Sequence, residues 1–569
     1  MSGEETRTWA LLGGALALAL AAIWITGALS ALIFGAGWTP RPIAELPASA
    51  ARLLLHPGEP AAAWPGGARS GMPGPLAFYL TGAFVLAALG AAAFGLWRLV
   101  RRLGLDPLGA GGSRRAPSAR WARGRDLRRL RVAKPEPGRL TLGRFGGSLI
   151  AAEPEQSVIV MAPTRSYKTT GLAIPAILEW DGPVLATSVR NDLLHDTLAH
   201  RDRMGDVMVF DPAHVTGMAR TRATPLWGAT SWRGAKKVAK WLAGGGRVGS
   251  TGLQDADFWF AAAEKLLAPL LLAAAANGKT VEAVVRWLDE GPEASEAEVL
   301  GLLLGTDVEE ATRAYLATQH REDRQRSSVY TTAEMVMAAF SDPFVLEETA
   351  AADYSPAALL DGRANTLYLC SPQHEQERLR AVFSWIVEEL LAVANETAAA
   401  SGPLDPRLLL VLDEAANVAP LPKHDELATT AAGNGIQIVS IFHDLAQIKA
   451  RHGQRALTIA NNHRAVIVGS GISDPETLDY ASRLIGAAAF EQRSRTAGER
   501  GRQSTTEGDA YRDLAPAHVL RQAESGTAVL IYGDLPPAKI RLRPFFQEAS
   551  LRKLSEASPG SAEAREVER

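Results

Sequence analysis

Two long apolar segments stand near the start of the chain, and shorter apolar runs follow from about residue 139 onward. Trp9 to Phe34 and Leu76 to Val100 each exceed the roughly 20 residues that a helix needs to cross a bilayer. Neither contains a charged residue before Arg98. The sequence therefore predicts a transmembrane hairpin with an extracytoplasmic loop over residues 1–102.

Basic residues follow the second apolar segment, and we use them to orient the hairpin. Cytoplasmic flanks of membrane spans carry an excess of Lys and Arg. We therefore expect a multi-pass protein of the cytoplasmic (inner) membrane with both termini in the cytoplasm and a basic linker over residues 103–138. The same linker could contact lipid or DNA phosphates, although topology alone explains its composition. The arginines are Arg98, Arg101, Arg102, Arg114, Arg115, Arg120, Arg123, Arg125, Arg128, Arg129 and Arg131.

Short apolar runs alternate with amphipathic stretches in the remainder, which is typical of a parallel sheet covered by helices. Between Ser231 and about Phe340 the strand pattern is replaced by Ala/Leu/Glu-rich stretches with helical spacing. We expect an α/β core interrupted by an all-helical insertion. The predicted units are a nucleotide-binding domain in two parts (139–230 and 346–548), an all-alpha domain (231–345) and a charged, partly disordered tail (549–569).

The stretch Ser157 to Ala173, SVIVMAPTRSYKTTGLA, predicts a buried strand, a turn and a helix. This is the layout of a phosphate-binding loop, in which backbone N–H groups wrap phosphates, a Lys reaches the β/γ oxygens and a Ser/Thr hydroxyl holds Mg²⁺. Lys168 and Thr169 fit the last two roles. The candidate nucleotide-binding residues are Thr164, Arg165, Ser166, Tyr167, Lys168, Thr169 and Thr170.

A second candidate motif follows about 240 residues later, where the apolar run Leu408 to Leu412 ends in Asp413 and Glu414. An acidic turn after a strand is common by itself. Together with the loop, it predicts that Asp413 shares the Mg²⁺ site with Thr169 and that Glu414 polarises the attacking water.

The loop departs from G-x-x-x-x-G-K-[ST] at both glycines, where Ala162 and Tyr167 stand. The second glycine often needs a positive φ, which costs a bulky residue on the order of 1–2 kcal/mol. A phenol ring in the phosphate path would cost more. Nucleotide can therefore bind only if the Tyr167 ring turns toward solvent or a neighbouring subunit.

Net charge and cysteine content exclude some classes of protein and site. The 569-residue chain carries a formal net charge of −2, so any DNA contact must be local. Its one cysteine, Cys370, excludes an internal disulfide framework and a cysteine-rich zinc site. The flanking TLYLC pattern predicts that Cys370 is a core strand residue.

Several motifs together resemble the coupling proteins of type IV secretion systems, the conjugative DNA-transfer ATPases. Ala162 to Gly171 resembles that family's G-P-T-R-S-G-K loop, and Leu412 to Glu414 its second motif. The remaining matches are Trp180-Asp181-Gly182, Phe210-Asp211-Pro212, Gly435 to Gln447 and Ser473 to Gly486.

This resemblance implies a RecA-like P-loop NTPase core, ATP and Mg²⁺ as cofactors, and a homo-hexamer at the membrane. The all-alpha domain would receive the substrate. ATP hydrolysis would drive single-stranded DNA with its relaxase, or protein effectors, into the secretion channel. Glu414, Lys168 and Gln447 are the candidate catalytic residues, with Gln447 sensing or positioning near a γ-phosphate. At His443 this chain departs from the glutamine that is frequent in the family.

Two alternatives remain open from the sequence. The first is a membrane-bound adaptor that recruits substrate, because Tyr167 blocks the loop. The second, ranked lower, is a septal or chromosome DNA pump. Such pumps normally carry more membrane spans and a C-terminal winged helix, for which the residues after Asp509 leave little room.

Overall fold

The computed structural model describes residues 3–35, 37, 45–64, 69–102, 118–188, 191–247, 256–418, 421, 423–497 and 503–556. The chain divides into two compact units, Met1–Ala116 and Pro117–Arg569. Residues 103–117 of the predicted basic linker, with Arg114 and Arg115, lie outside the described residues, as does the tail from residue 557.

Within its described residues, the N-terminal unit has the α-helices Gly3–Phe34, Leu46–Leu55 and Pro75–Arg102 and a 3₁₀ turn Pro60–Ala63. The first and third helices pack together. Only the stretch Pro75–Gly95 of this unit is long and apolar enough, among the residues with described side chains, to be a candidate membrane span. Ala19–Phe34 is a shorter apolar stretch by the same measure. These helices fit the predicted hairpin.

The second unit is built on a twelve-stranded sheet in the order β1-β3-β2-β14-β13-β10-β4-β9-β8-β5-β7-β6, with a separate ribbon of β11 and β12. Strands β10 to β6 in this order are parallel, and β10 pairs antiparallel with β13. The strands are β1 Arg131–Val132, β2 Thr141–Phe145, β3 Ser148–Ala151, β4 Val158–Met161, β5 Val184–Ser188, β6 Val207–Phe210, β7 Thr366–Cys370, β8 Leu408–Leu412, β9 Ile436–Phe442, β10 Ala465–Gly469, β11 Ala487–Ala497, β12 Gln503–Asp513, β13 Thr527–Tyr532 and β14 Ala538–Arg541.

The central strands are buried on both faces of the sheet, as is usual for parallel strands covered by helices. Because successive side chains of a strand point to opposite faces, each strand contributes to two cores. Ile159 and Met161 of β4 belong to one core, which includes the helical insertion, whereas Val158 and Val160 belong to the other. Cys370, at the end of β7, is buried as expected. The helix that follows the phosphate loop packs on the second face. The sheet thus forms the middle layer of an α/β sandwich, as the sequence predicted.

Helices cover both faces of the sheet. Helix Gln376–Ser401 contacts Trp232–Arg247, so it joins the core to the insertion. The α-helices of this unit are Ile174–Glu179, Asp192–Asp202, Trp232–Arg247, Ala256–Ala276, Val281–Asp289, Gly291–Leu304, Glu309–Gln319, Asp323–Met337, Pro343–Thr349, Pro356–Leu359, Gln376–Ser401, His424–Thr430, Leu445–His452, Ala456–Asn462, Pro475–Ile485, Ala517–Arg521 and Ala549–Ser555.

The segment between β6 and β7 has no strand in its described residues. Ala256–Ala276 is apolar enough to resemble a membrane span, but most of it is buried inside this body. Its Leu266 and Leu267 are fully buried with Trp287 of the next helix. The helical periodicity therefore reflects a core of its own, packed onto one face of the sheet.

The folded body also includes residues 118–138, the second half of the stretch expected to be a linker. Leu127 and Leu130 are buried, and the Ala122 backbone N–H donates to the Pro537 carbonyl at 2.8 Å. Arg129 pairs with Asp534 at 2.5 Å. Arg129, one of the arginines from which the sequence analysis predicted the orientation of the hairpin, therefore contacts the folded body.

Three histidines are buried together behind β9. The Ser440 hydroxyl lies 2.9 Å from His424 Nε2 and 3.2 Å from His463 Nε2, and the His424 ring centroid lies 5.9 Å from that of His452. Burial lowers the pKa of His452 and His463 to about 4 and lowers that of His424 well below its usual range. The folded chain therefore holds all three as neutral imidazoles at pH 7.

This cluster predicts a loss of stability in acid. Because the unfolded pKa of histidine is near 6.5, the unfolded state binds more protons between pH 6.5 and 4, and stability falls as the pH falls. In the His452→Leu variant of the full chain, the loss on going from pH 7 to 5 is smaller by about 2 kcal/mol. Thermal unfolding at each pH measures it.

The control is His374→Leu, since the His374 side chain is 78% exposed and should leave the pH dependence unchanged. An equal fall of the unfolding midpoint in wild type and His452→Leu would contradict the buried neutral cluster.

Candidate nucleotide-binding site

The phosphate loop leaves the carboxyl end of β4, and its backbone turns sharply before the helix. Arg165 has φ of 62° and Tyr167 has φ of 64°. Lys168 is right-handed, with φ of −60° and ψ of −47°. Alternation of left- and right-handed residues turns neighbouring N–H groups toward one concavity, the geometry of an anion-binding nest. The Ser166 hydroxyl donates to the Pro163 carbonyl at 2.7 Å and closes the turn.

Tyr167 adopts the left-handed conformation that a glycine would supply. Its ring packs beside Phe546, with the centroids 6.2 Å apart. It also faces Gly526, where an added Cβ would lie 3.4 Å from the ring edge. The ring is thus held between the loop and the C-terminal segment of the same chain, which is neither of the two positions expected from the sequence, solvent or a neighbouring subunit. The backbone strain expected from the sequence is present, and neighbouring packing holds it in place.

Ala162, at the first glycine position, is matched by a glycine on the adjacent strand. Ala162 is fully buried. A Cβ added at Gly469, the last residue of β10, would lie 2.7 Å from the Ala162 Cβ. Real Cβ atoms are essentially never this close. The methyl group at 162 therefore fits because its neighbour has none.

The two carboxylates lie opposite the loop, two strands away. Asp413 and Glu414 follow β8, and β9 lies between β8 and β4. Strands are about 4.8 Å apart, so roughly 10 Å of backbone separation must be bridged by side chains. Thr169 Oγ1 donates to Asp413 Oδ2 at 2.8 Å, and Lys168 Nζ lies 3.1 Å from Glu414 Oε1. The four predicted residues therefore converge on one site.

Backbone contacts fix both carboxylates. The Thr187 hydroxyl donates to the Asp413 carbonyl at 2.9 Å. Glu414 has φ of 54°, in the left-handed region, and its carbonyl accepts from the Asn417 N–H at 2.8 Å. A non-glycine residue in this region is strained, and such residues cluster at functional sites. The turn aims the Glu414 side chain back toward the loop.

His443 lies between the two motifs, at the end of the intervening strand β9. Its Nδ1 lies 3.0 Å from Lys168 Nζ and its Nε2 lies 2.9 Å from Glu414 Oε1. An ammonium only donates and a carboxylate only accepts, so these contacts assign a neutral imidazole that carries its proton on Nε2. His443 thus orients the lysine and the carboxylate together.

The two carboxylates differ in acidity. Burial raises the pKa of Asp413 to about 6, although Lys168 and the Thr169 hydroxyl oppose the rise. Burial acts in the same direction at Glu414, but the hydrogen bond from His443 and the charge of Lys168 outweigh it and lower its pKa to about 2. Glu414 is therefore ionised at neutral pH.

A cavity of about 860 Å³ opens above these residues. Its size is that of small-molecule sites in general. Its lining residues are Thr164, Arg165, Tyr167, Lys168, Thr169, Thr170, Asp192, Gln373, Gln376, Asp413, Glu414, Asn417, His443 and Phe546.

Two buried oxygens in this cavity fit a magnesium nucleotide. Asp413 Oδ1 and Thr170 Oγ1 have no hydrogen-bond partner in the described structure. No group of three His, Cys, Asp or Glu side chains forms a metal cage among the described residues. Mg²⁺ is usually held by one or two carboxylates, waters and substrate phosphates instead. Thr169 and Asp413 suit that mode, and Thr170 is available to a phosphate oxygen.

Most, but not all, of the predicted site residues line the cavity. Thr164, Arg165, Tyr167, Lys168, Thr169 and Thr170 line the cavity, whereas Ser166 is buried within the turn. Gln447 Oε1 accepts the His443 backbone N–H at 2.8 Å, so in this chain it supports the turn after β9. Its role near a γ-phosphate stays a prediction.

Sequence reasoning missed several residues of the cavity: Asp192, Gln373, Gln376, Asn417, His443 as a contact, and Phe546. A signal existed for some. Gln373 and His443 come just after β7 and β9, and the carboxyl ends of parallel strands meet at one edge. For Phe546, which follows β14 far along the chain, the sequence contains no such signal.

A family model described as "Type IV secretory system Conjugative DNA transfer" matches residues 122–565. This match covers most of the chain, including both motifs and the helical insertion. The chain belongs to the type IV secretory system conjugative DNA transfer family. The resemblance found in the sequence is thereby confirmed.

Individual members of the family are distant relatives. Protein VirD4 of Rhizobium radiobacter is 23% identical over 430 residues, covering 73% of this chain and 61% of its own length. The conjugal transfer protein TraG of Escherichia coli is 24% identical over 404 residues, covering 64% of this chain and 61% of its own. The chain thus spans about three fifths of these relatives.

Solved structures show the same fold. The bacterial conjugative coupling protein TrwBΔN70 aligns with a TM-score of 0.55 at 18% identity, over 77% of this chain and 97% of that one. TrwB in complex with ADP and Mg²⁺ aligns with a TM-score of 0.55 over 75% of this chain and 94% of that one. The α/β core is therefore a RecA-like NTPase fold, as predicted.

The Ala162–Gly469 contact gives a test of the loop packing. Gly469→Ala would place two methyl carbons in one space, and overpacking of this kind costs about 1–3 kcal/mol. We expect the unfolding midpoint of the full chain to fall. In an Ala162→Gly background the same change should cost much less, because the opposing methyl is gone.

Thermal unfolding of the four proteins in this double-mutant cycle measures the coupling. Equal costs of Gly469→Ala in both backgrounds would show that the two residues do not share the space.

Proposed function

We propose that this protein is a membrane-anchored ATPase that couples substrate to a type IV secretion channel and drives its transfer. The substrate is single-stranded DNA with a bound relaxase, or a protein effector. Family membership supports the conjugative role. The observation that carries the ATPase proposal is the convergence of Lys168, Thr169, Asp413 and Glu414 at the end of the parallel strands.

In this proposal the loop N–H groups and Lys168 bind the phosphates of ATP. Thr169 and Asp413 hold Mg²⁺, which when bound would neutralise phosphate charge. Glu414, ionised and within reach of the cavity, orients and deprotonates the attacking water. A carboxylate whose pKa is about 2 is a weak base while it contacts Lys168 and His443.

Phosphate binding must therefore compete with Glu414 and His443 for Lys168. When the ammonium turns to a phosphate, Glu414 loses a charge partner and becomes a stronger base. His443 keeps its Nε2 contact with the carboxylate and positions it. The exchange links occupancy of the loop to activation of Glu414.

The proposed protein is anchored in the membrane and assembles into a ring. The apolar helices near the N-terminus would anchor the protein in the inner membrane as a hairpin, with both termini cytoplasmic. A hexameric ring would bring a neighbouring subunit to the open side of the cavity. Channel components would be its membrane partners, and the all-alpha domain would receive substrate.

The second candidate function is an adaptor that recruits substrate without hydrolysis. Tyr167 at a glycine position is the observation that favours it. The left-handed φ of Tyr167 and the packing of its ring against Phe546 reduce that argument. The family to which the chain belongs is one of conjugative DNA transfer, so it gives no support to the alternative of a chromosome DNA pump.

The ATPase proposal predicts that Glu414→Gln abolishes turnover in the full-length protein in detergent. Loss of a general base typically costs 10²–10⁴-fold, so we expect a fall of at least about 100-fold. Mg·ATP binding should remain, since Lys168 and the loop are intact. Phosphate release, with and without single-stranded DNA, and equilibrium binding measure the two effects.

Glu426→Gln is the matched control, because Glu426 is an exposed glutamate paired with Lys423 in the helix after this motif. Its turnover should equal that of wild type. Inactive wild type with an active Tyr167→Gly variant would instead support the adaptor. Turnover that survives Glu414→Gln would remove Glu414 from its proposed role.

A further inference from the structure

The cavity is lined by two chemically different sets of side chains, which we name the polar end and the aromatic end. Lys168, Asp413, Glu414 and His443 form the polar end, where the phosphate loop faces β8. The aromatic end is formed by Tyr167 and Phe546. No part of the proposed phosphate chemistry uses these two rings, although both border the same space.

Phe546 is held at the cavity by its neighbours in the chain. It lies in the short 3₁₀ turn Phe545–Gln547 after β14. The Phe545 ring is buried and meets the Phe546 ring edge-on, with centroids 5.6 Å apart. Phe546 itself remains 40% exposed. One ring anchors the turn in the core while the other faces the cavity.

A buried charge network locks this turn against the phosphate loop. Arg543 is 3% exposed, and its guanidinium lies 2.8 Å from both Glu179 and Glu548. Its backbone N–H donates to the Gly171 carbonyl at 3.3 Å. Glu179 ends the helix that the loop begins. These short contacts therefore fix the position of Phe546 relative to Lys168 and Thr169.

The sequence of contacts along the loop sets a direction through the cavity. Thr169 contacts Asp413 at the polar end, and Gly171 contacts Arg543, next to the aromatic end. Thr170 lies between them with a buried, unpartnered hydroxyl oxygen. A nucleotide whose terminal phosphates lie at Lys168 would therefore extend past Thr170 toward Phe546.

We propose that Phe546, backed by the Tyr167 ring, is the platform on which the base of the bound nucleoside triphosphate stacks. Every nucleobase has a π-face that can stack on an aromatic side chain, so such a platform does not depend on which base is bound. Tyr167 then has a function of its own: its ring supports Phe546 while its backbone supplies the turn of the missing glycine. This inference rests on the proposed nucleotide-binding function.

The test compares two probes on the full-length protein in detergent, Mg·ATP and Mg·tripolyphosphate, by isothermal titration calorimetry. Tripolyphosphate has the phosphates but no base. Base–aromatic stacking accounts for about 1–3 kcal/mol, so Phe546→Ala should raise the Kd of Mg·ATP about tenfold. The Kd of Mg·tripolyphosphate should change by less than about twofold, since the polar end is unaltered.

Two further variants sharpen the comparison. Phe546→Tyr keeps an aromatic face and should bind Mg·ATP as wild type does. Phe344→Ala removes a ring that is 53% exposed elsewhere in the body, and both Kd values should be unchanged. Retained tripolyphosphate binding shows in each case that the variant is folded.

Other outcomes separate the two proposals. Equal weakening of both probes by Phe546→Ala, or no effect on either, would overturn the base platform and leave the nucleotide site in place. Wild type that binds ATP no more tightly than tripolyphosphate would do the same. Wild type that binds neither probe would overturn the nucleotide-binding function and the platform with it.

Discussion

The structure of the site depends on one constraint, the pairing of β4, β9 and β8 in a single parallel register. Parallel strands end at the same edge, so the segments that carry Lys168, His443 and Glu414 all start from one edge of the sheet. The 2.8 Å contact between Thr169 and Asp413 across residues far apart in the chain follows from it.

Strain is concentrated at this edge. Arg165, Tyr167 and Glu414 all have positive φ, although none is glycine. Such conformations persist only where surrounding contacts determine them. Gly526 and Phe546 support the first motif, and Ala415, whose N–H donates to the Ile441 carbonyl at 3.1 Å, supports the second. The methyl group of Ala162 fits because Gly469 on the neighbouring strand has no side chain, and the Tyr167 ring is held by contacts with Gly526 and Phe546.

Much of this was predictable from the sequence, for reasons that differ between elements. Short apolar runs identified β4, β7 and β8, and a strand followed by Lys-Thr identified the loop, because both signals lie within a few neighbouring residues. The ribbon of β11 and β12 was missed, since Ala487 to Asp513 is too polar to read as strand. His443 was noted only as a departure from a family glutamine. Its contacts with Lys168 and Glu414 depend on the order of the strands in the sheet, which cannot be predicted from the residues around His443. The orientation of the Tyr167 ring depended on Phe546, almost 400 residues away.

The central claim is that a phosphate loop with tyrosine at the glycine position is still competent to bind nucleotide. Equilibrium binding of Mg·ATP to the full-length protein, with Lys168→Ala as the reference, tests it most directly. Saturable binding by wild type that is lost in Lys168→Ala is the predicted result. Wild type that binds no more tightly than Lys168→Ala would contradict the claim, and would mean that the strained loop preserves the fold without its chemistry.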